Sequence, residues 1–204
     1  MRRDEEKVVV VVQERSVDKG QRILEAAVEI FSTKPFHQVK VEDIAAAACV
    51  GKGTVYEYYK GKDDLFAAVF EEGGRIYMRE MEASLDREGP VGEKLTNLIR
   101  THLDFISKHR QRALLLLAEQ RIIAPREVHQ AILERRSRLL SLVRQTIRQG
   151  MEEGIFRPLD EEMAALFVIG GIISLWPLAL AEEKNLLKDR EEEVVEYILK
   201  GLQE

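Results

Sequence analysis

Cysteine is nearly absent. Among 204 residues only Cys49 occurs, so neither an internal disulfide framework nor a multi-cysteine metal site can form, and a reducing compartment is the default expectation. Five prolines and thirteen glycines are too few for a β-sandwich or a disordered chain. No HExxH, CxxC, GxSxG or Rossmann glycine pattern occurs, and His37, His102, His109 and His129 lie scattered. The motif-based enzyme classes are therefore unsupported, no cofactor is implied, and the chain is not expected to be an enzyme. Nor is there a general positive excess. The net charge is −5, which argues against an all-over basic coat for nucleic acid while permitting a local one. The opening MRRDEEK leads only into the short run Val8–Val12, with no cleavage site, so no signal peptide is expected.

Long hydrophobic runs are also lacking, with one exception. Met163 to Ala181 (MAALFVIGGIISLWPLALA) carries no charge and is just long enough to span a bilayer. It is solitary, contains Gly170-Gly171 and Pro177, lies between acidic flanks, and has no basic cluster to orient it. A helix that is apolar all round in a soluble protein is normally core or subunit interface. The run is read here as an interface, with no membrane.

What is present is helical periodicity. Residues 1–17 lack it and form an N-terminal arm, whose valine run favours extended structure. Ile23, Leu24, Ala27, Val28 and Phe31 make one apolar stripe, which Pro35 ends. Val41, Ile44, Ala45 and Ala48 mark a second, short helix, and Lys52 to Tyr59 a third, with Gly61 expected to end it. Asp63 and Asp64 suit the positive first turn of a fourth helix carrying Leu65, Phe66, Val69 and Phe70 and running to about Leu85. After Gly89-Pro90, helices are expected at 93–108, 111–122, 126–152, 161–181 and 188–202, bounded by Pro125, Gly154, Pro158 and Lys184-Asn185. The helix over 126–152 has an apolar stripe through Val128, Ile132, Leu139, Val143 and Ile147. Its arginines 135, 136, 138, 144 and 148 read as a solvated face. No strand–helix alternation and no repeat occur. The fold class is all-α.

Residues 50–65, VGKGTVYEYYKGKDDL, decide the function. A P-loop needs an upstream glycine and then Gly-Lys followed by Ser or Thr between strand and helix, whereas Lys52 is followed by Gly53 in a helical setting. A hairpin needs flanking strands of period two. The remaining reading is helix-turn-helix, whose second helix enters a major groove. Lysines 34, 40, 52, 60 and 62 against Glu42, Asp43 and Glu57 give this stretch a mild positive excess.

The run from Ile23 to Phe70, with IL-AA-F in helix one, DIAA-A in helix two and V-KGT-Y-YYK-K-DL through helix three, closely resembles the DNA-binding head of TetR-family transcriptional regulators. The resemblance implies a three-helix head over 18–62 and a larger helical ligand-binding and dimerisation body over 63–204. It implies that Lys52 and Gly53 approach base edges, with lysine donating to guanine. Thr54, Tyr56 and Tyr58 would place hydroxyls on phosphates, and Lys62 would take another phosphate with help from the following helix's amides. Val55 and Tyr59 would point inward. The chain departs from the family's pattern at Pro35 and at Lys40, which stands where a capping Ser or Thr is usual. That costs ~1 kcal/mol, although Lys40 can reach a phosphate instead. It departs again at Gly51 and at Cys49, a residue strained in a left-handed turn and otherwise expected as a small buried hydrophobe.

Beyond residue 90 the resemblance is one of length and helical architecture. It implies a homodimer through a four-helix bundle. The sequence supports this independently with Gly170, Gly171 and Ser174, which permit close helix approach, and with a stripe through Val195, Ile198 and Leu202. It also implies a cytoplasmic repressor that leaves a palindromic double-stranded DNA operator when a small molecule binds the body. Candidate pocket residues are His102, Phe105, Ile106, Leu115, Leu116, Glu119 and Trp176. His102 is open to a second role, a hydrogen-bonded core histidine. The mostly apolar set points to a hydrophobic effector, an acyl-CoA being one version with arginines on its phosphates. The alternatives are a regulator that needs its ligand to bind DNA, or a helical adaptor with weak DNA affinity.

Overall fold

The computed structural model describes residues 19–86, 88–118, 126–181 and 190–203. The N-terminal arm with Val8–Val12, and Glu119, Pro125 and Lys184-Asn185, lie outside the described residues. Among the described residues all regular structure is helical. The chain divides into two compact units, the first ending at Glu71 and the second beginning at Glu72.

The head opens with α1, residues 19–33. Its stripe of Ile23, Leu24, Ala27, Val28 and Phe31 is buried. Ser32 and Thr33 hydroxyls bond back to the Glu29 carbonyl, and the helix stops short of Pro35, which leads into a 3₁₀ turn at Phe36–Gln38. Two short helices follow, α2 (Val41–Ala47) and α3 (Lys52–Tyr58), then the long α4 (Lys62–Leu85). Phe66 of α4 sits 4.9 Å from the Phe31 ring, 4.8 Å from Phe36 and 4.7 Å from Phe70. This aromatic cluster moves the edge of the head to Glu71, inside α4, where the sequence reading put it at Lys62. Helix α3 ends without glycine's help: Tyr59 is already extended (φ −133, ψ 131), and Gly61 is not among the residues of positive φ.

The body contains α5 (Val91–Lys108), α6 (Arg110–Ala118), α7 (Arg126–Glu152), α8 (Glu161–Ser174), α9 (Trp176–Ala181) and α10 (Glu191–Gln203). The stripe of α7 is buried as its spacing requires. Glycine is needed twice near its end. Gly154 carries a left-handed φ of 69, and Gly150 makes room for the buried Phe156 ring, which would lie 2.1 Å from an added Cβ. Asp160 caps α8 by accepting from the Met163 amide, 2.8 Å. The expected single helix over 161–181 is broken at Leu175, because Pro177 has no N–H and disfavours the α conformation just before it.

The arginine face of α7 is not simply solvated. Arg148 and Arg144 reach Glu161 of α8, and Arg138 reaches Glu82 of α4 at 2.5 Å. Arg135, half-buried, and Arg136, exposed, line a cavity. On α5, Arg100 pairs with Glu191 and Glu192 of α10, at 3.1 and 2.5 Å.

Gly150→Ala is expected to destabilise the body by ~1–3 kcal/mol through overpacking against Phe156, despite the better helix propensity of alanine. Thermal unfolding checks this, and an unchanged or raised midpoint would contradict it.

Candidate nucleic-acid interface and effector pocket

The turn of the helix-turn-helix is braced by a cation from α1. Cys49 adopts φ 52, a left-handed conformation costly for a side chain with a Cβ. Arg22 of α1 donates from Nη2 to the carbonyls of Ala48 (2.5 Å) and Cys49 (3.2 Å). Ala48 is the C-cap of α2 and Cys49 the residue after it, and a guanidinium at the negative end of a helix is favoured. The Cys49 side chain is exposed, so the buried-hydrophobe expectation for it is wrong. Neither short helix has a side-chain N-cap: Lys40 starts α2 and Gly51 starts α3 with no capping hydrogen bond.

Helix α3 therefore presents its N-terminal turn openly. Val55 is 2% exposed and anchors it. Lys52, Gly53 and Tyr56 are exposed, and Thr54 is half-buried. An added Cβ at Gly53 would meet nothing within 4 Å, so nothing in the fold requires glycine there. A glycine inside a helix costs about 1 kcal/mol relative to alanine, so its use here fits close approach of something outside the chain. Lys52 reaches across to Glu42 of α2, 2.5 Å, and its ammonium lies 5.9 Å from the Tyr56 ring centre. That hydrogen bond raises the Lys52 pKa and lowers that of Glu42, the two shifts agreeing in direction.

Two of the expected phosphate contacts are more tied to the protein than their sequence implies. The Tyr58 ring rests on Gly20 of α1, 3.1 Å from where a Cβ would stand, and Tyr58 and Tyr59 are both half-buried. Lys62 donates to the Phe36 carbonyl (2.9 Å) and lies 4.3 Å from that ring. An ammonium has three donors, so the remaining two stay available to a phosphate.

In the body, the sequence candidates separate. Leu116 and Trp176 line a cavity of about 60 Å³ together with Tyr77, Leu117, Arg135, Arg136, Leu139 and Ile173. Phe105 and Ile106 do not line it. They are core, Phe105 stacking 6.1 Å from Trp176. Leu115 is likewise buried. Glu119 lies outside the described residues. His102 is fully buried behind the wall, its Nδ1 2.8 Å from the Tyr77 hydroxyl and its Nε2 accepting from the Trp176 indole N–H. Of the two roles left open for His102, the structure shows the hydrogen-bonded core histidine; it does not line the cavity. Burial pulls its pKa down to about 3, with the Ile172 carbonyl opposing, so the ring is neutral. Among the described residues, no three His, Cys, Asp or Glu side chains gather as a metal site.

On the outside of the body, α8 has a second apolar face. Ala164, Ala165, Val168 and Ile172 pack inward, while Met163, Leu166 and Phe167 stay exposed, Phe167 at 76%. Gly170, Gly171 and Ser174 continue that outer face, and no atom lies within 4 Å of an added Cβ at either glycine. The run 161–180 is long and apolar enough to cross a membrane by composition, but only 39% of its apolar window is buried inside the chain. On α10 two expected interface residues are corrected: Val195 and Leu202 are each 6% exposed and pack within their own subunit. Ile198 is half-buried, and the exposed aromatic is Tyr197. The stripe that buries α10 on its own body had been taken for its outer face.

A family model described as bacterial regulatory proteins, tetR family, matches residues 23–69, and another, tetracyclin repressor-like, C-terminal domain, matches residues 88–176. The chain belongs to the TetR family. The fatty acid metabolism regulator protein of Bacillus subtilis is 27% identical over 188 residues, spanning 90% of this chain and 95% of that protein. Among solved structures, the fatty acid degradation regulator FadR from Bacillus halodurans aligns with a TM-score of 0.78 at 26% identity, covering 90% of this chain and 96% of that one. The transcriptional regulator FadR from Bacillus subtilis in complex with stearoyl-CoA aligns at 0.76, again 26% identical, covering 90% and 99%. These relatives are regulators, and neither family model is catalytic.

This TetR-family protein is accordingly a DNA-binding transcriptional regulator. Sequence reasoning missed Arg22, Tyr77, Leu117, Leu139 and Ile173 as site residues, and had weighed the α7 arginines both as a solvated face and as partners of acyl-CoA phosphates.

Lys52→Ala is expected to relax sequence preference. Tyr56→Ala should weaken binding to all sequences alike and lower the salt slope by about one. Titrations on matched and scrambled duplexes check both, and equal loss on both duplexes for Lys52→Ala would sink its base contact. The buried histidine adds a pH dependence. Its folded pKa lies below the ordinary 6.5, so its contribution is complete above pH 6.5. As pH falls toward 3 the unfolded chain takes up a proton that the folded one refuses, and stability is lost by up to ~1.4 kcal/mol per pH unit. His102→Gln should show a slope shallower by up to one proton. An unchanged slope in unfolding titrations would contradict this.

Proposed function

We propose that the protein is a cytoplasmic homodimeric repressor that holds a palindromic operator and leaves it when a fatty acyl-CoA occupies the cavity of the body. The observation that carries the effector is the cavity itself: leucine, isoleucine and tryptophan walls with Arg135 and Arg136 among them. Apolar walls suit an acyl chain, and guanidinium groups suit its carbonyl or phosphate oxygens. The complex of the related FadR with stearoyl-CoA supports the same class.

DNA contact is assigned to Lys52, Gly53, Thr54 and Tyr56 on α3, with Lys40 and Lys62 flanking and Tyr58 contributing its hydroxyl. Dimerisation is assigned to the outer face of α8, through Met163, Phe167, Gly170, Gly171 and Ser174, with Ile198 and Tyr197 of α10. Side-chain-free glycines on an exposed apolar face let a second helix approach closely. Two-fold symmetry then fixes the operator's two half-sites one or more helical turns apart.

Selection of fragmented genomic DNA at ~150 mM salt, beside a Tyr56→Ala, Lys62→Ala control, tests the reading. Recovery of a palindromic site by the wild type alone, released by palmitoyl-CoA, is the expected result. Enrichment only in the presence of the thioester would favour a ligand-requiring regulator, and no enrichment under either condition would favour the adaptor.

A further inference from the structure

One acidic side chain stands where the charge of DNA argues against it. Helix α2 buries Val41, Ile44 and Ala45 in the head and turns Glu42 outward, its side chain 56% exposed. Ala46, one turn further along that side, is exposed and too small to cover it. Glu42 thus sits beside the exposed Lys52, Gly53 and Tyr56 of α3, where a carboxylate repels an approaching polyanion.

The carboxylate is not idle. Glu42 Oε1 accepts a hydrogen bond from Lys52 Nζ at 2.5 Å, across the turn between α2 and α3. Each partner favours the charged form of the other, and Lys40 adds its field on Glu42, so the pair stays ionic. An ammonium has three donors and Glu42 occupies one, so two remain for a ligand. A carboxylate accepts at more than one site, so it too keeps capacity. Together they present a donor directly beside an acceptor.

Phosphate and base edges answer this arrangement differently. A phosphate offers acceptors alone. To bind one, Lys52 has to break from Glu42 or carry the carboxylate toward the same negative oxygens, and nothing there answers the carboxylate. The major-groove edge of a guanine–cytosine pair offers guanine N7 and O6 as acceptors and cytosine N4 as a donor next to them. Lys52 can donate to the guanine while Glu42 accepts from the cytosine, with their mutual bond intact. Reversing that base pair sets acceptors against the carboxylate, which then loses water without gaining a partner.

We propose that Glu42 is a specificity-determining residue of the head: it holds Lys52 off the phosphates and makes the two side chains read one guanine–cytosine pair as a unit. This inference rests on the assignment of Lys52 to base edges above and adds to it the acidic partner and the base pair read. Glu42 acts twice, through Lys52 on the phosphates and directly on the cytosine.

The test measures affinities of the full-length wild type, Glu42→Ala, Lys52→Ala and the double variant over a range of salt. The duplexes are the operator recovered by the wild type, a scrambled control, and operators with each half-site base pair reversed in turn. Both side chains are exposed, so none of these variants removes a core contact. Glu42→Ala is expected to tighten binding to the scrambled duplex by on the order of 3- to 10-fold, with a salt slope steeper by about one, because the released Lys52 takes a phosphate. Operator affinity does not rise, so the ratio of operator to scrambled affinity falls by at least that factor. In the Lys52→Ala background, removing Glu42 leaves the slope unchanged. In the wild type, reversing one guanine–cytosine pair per half-site costs on the order of 5- to 10-fold. That cost disappears at the same position in Glu42→Ala and in Lys52→Ala. Equal tightening on operator and scrambled duplexes, with the ratio intact, makes Glu42 a surface charge only and overturns the proposal. A slope change of the same size in the Lys52→Ala background overturns the action through Lys52. Loss of preference at different positions in the two single variants overturns the reading as a unit. Equal loss on both duplexes in Lys52→Ala is a separate result, and it removes the base contact of Lys52 on which the proposal rests.

Discussion

His102 is the contact on which the body depends. It is fully buried on α5 and makes hydrogen-bond contacts with Trp176 of α9 and with the Tyr77 hydroxyl of α4, so three helices meet at one ring. Leaving any of these polar groups unpaired in the interior costs on the order of 1–3 kcal/mol, which makes the arrangement close to all-or-none. It also explains why α9 exists as a separate helix. Pro177 breaks the apolar run after Ser174, and the break lets Trp176 turn inward while Phe167, two turns earlier, faces out. The surrounding rings, Tyr77 5.1 Å from Phe105 and 5.9 Å from Trp176, shield the histidine from water and keep it neutral.

The head solves a smaller problem with less material. A seven-residue helix such as α3 is too short to be stable in isolation, so its orientation has to come from tertiary contacts. Val55 beneath it, Tyr58 against Gly20, and Arg22 across the turn supply them. With its inner side committed in this way, the first turn of α3 is left bare. That is the turn whose residues the sequence motif assigns to base edges and phosphates. The Lys52–Glu42 pair is exposed and contributes little to stability. Its value is that it holds a lysine extended without giving up the charge.

Much of this was legible in the chain. Helix boundaries followed from Pro35, Gly154 and the acids in the first turn of α4, because a ring, a left-handed glycine and a helix dipole act locally. The stripe Val128 to Ile147 gave the buried side of α7 for the same reason. What escaped depends on partners far away in sequence. Arg22 reads as an ordinary polar residue of α1 until the carbonyls of Ala48 and Cys49 are brought to it. Tyr77 gains its partners only when His102 and Trp176 arrive from other helices. Arg135 looked solvated because nothing nearby in sequence reveals that Gly74 opens a seat for it. Val195 and Leu202 show the opposite limit: periodicity identified an apolar face of α10 correctly but could not say whether its own body or a second copy covers it.

Helix α4 begins with Lys62 and carries Tyr77, so one continuous helix bears a residue of each candidate site. If the cavity controls the recognition helix, the two ligands must be linked, and linkage is reciprocal. The most direct measurement is the affinity for a recovered operator at fixed salt with and without saturating palmitoyl-CoA, paired with the affinity for palmitoyl-CoA with and without operator. The account predicts that each ligand weakens the other by the same factor, about 5- to 150-fold. Independent binding of both, with neither affinity moved by the other ligand, would contradict it.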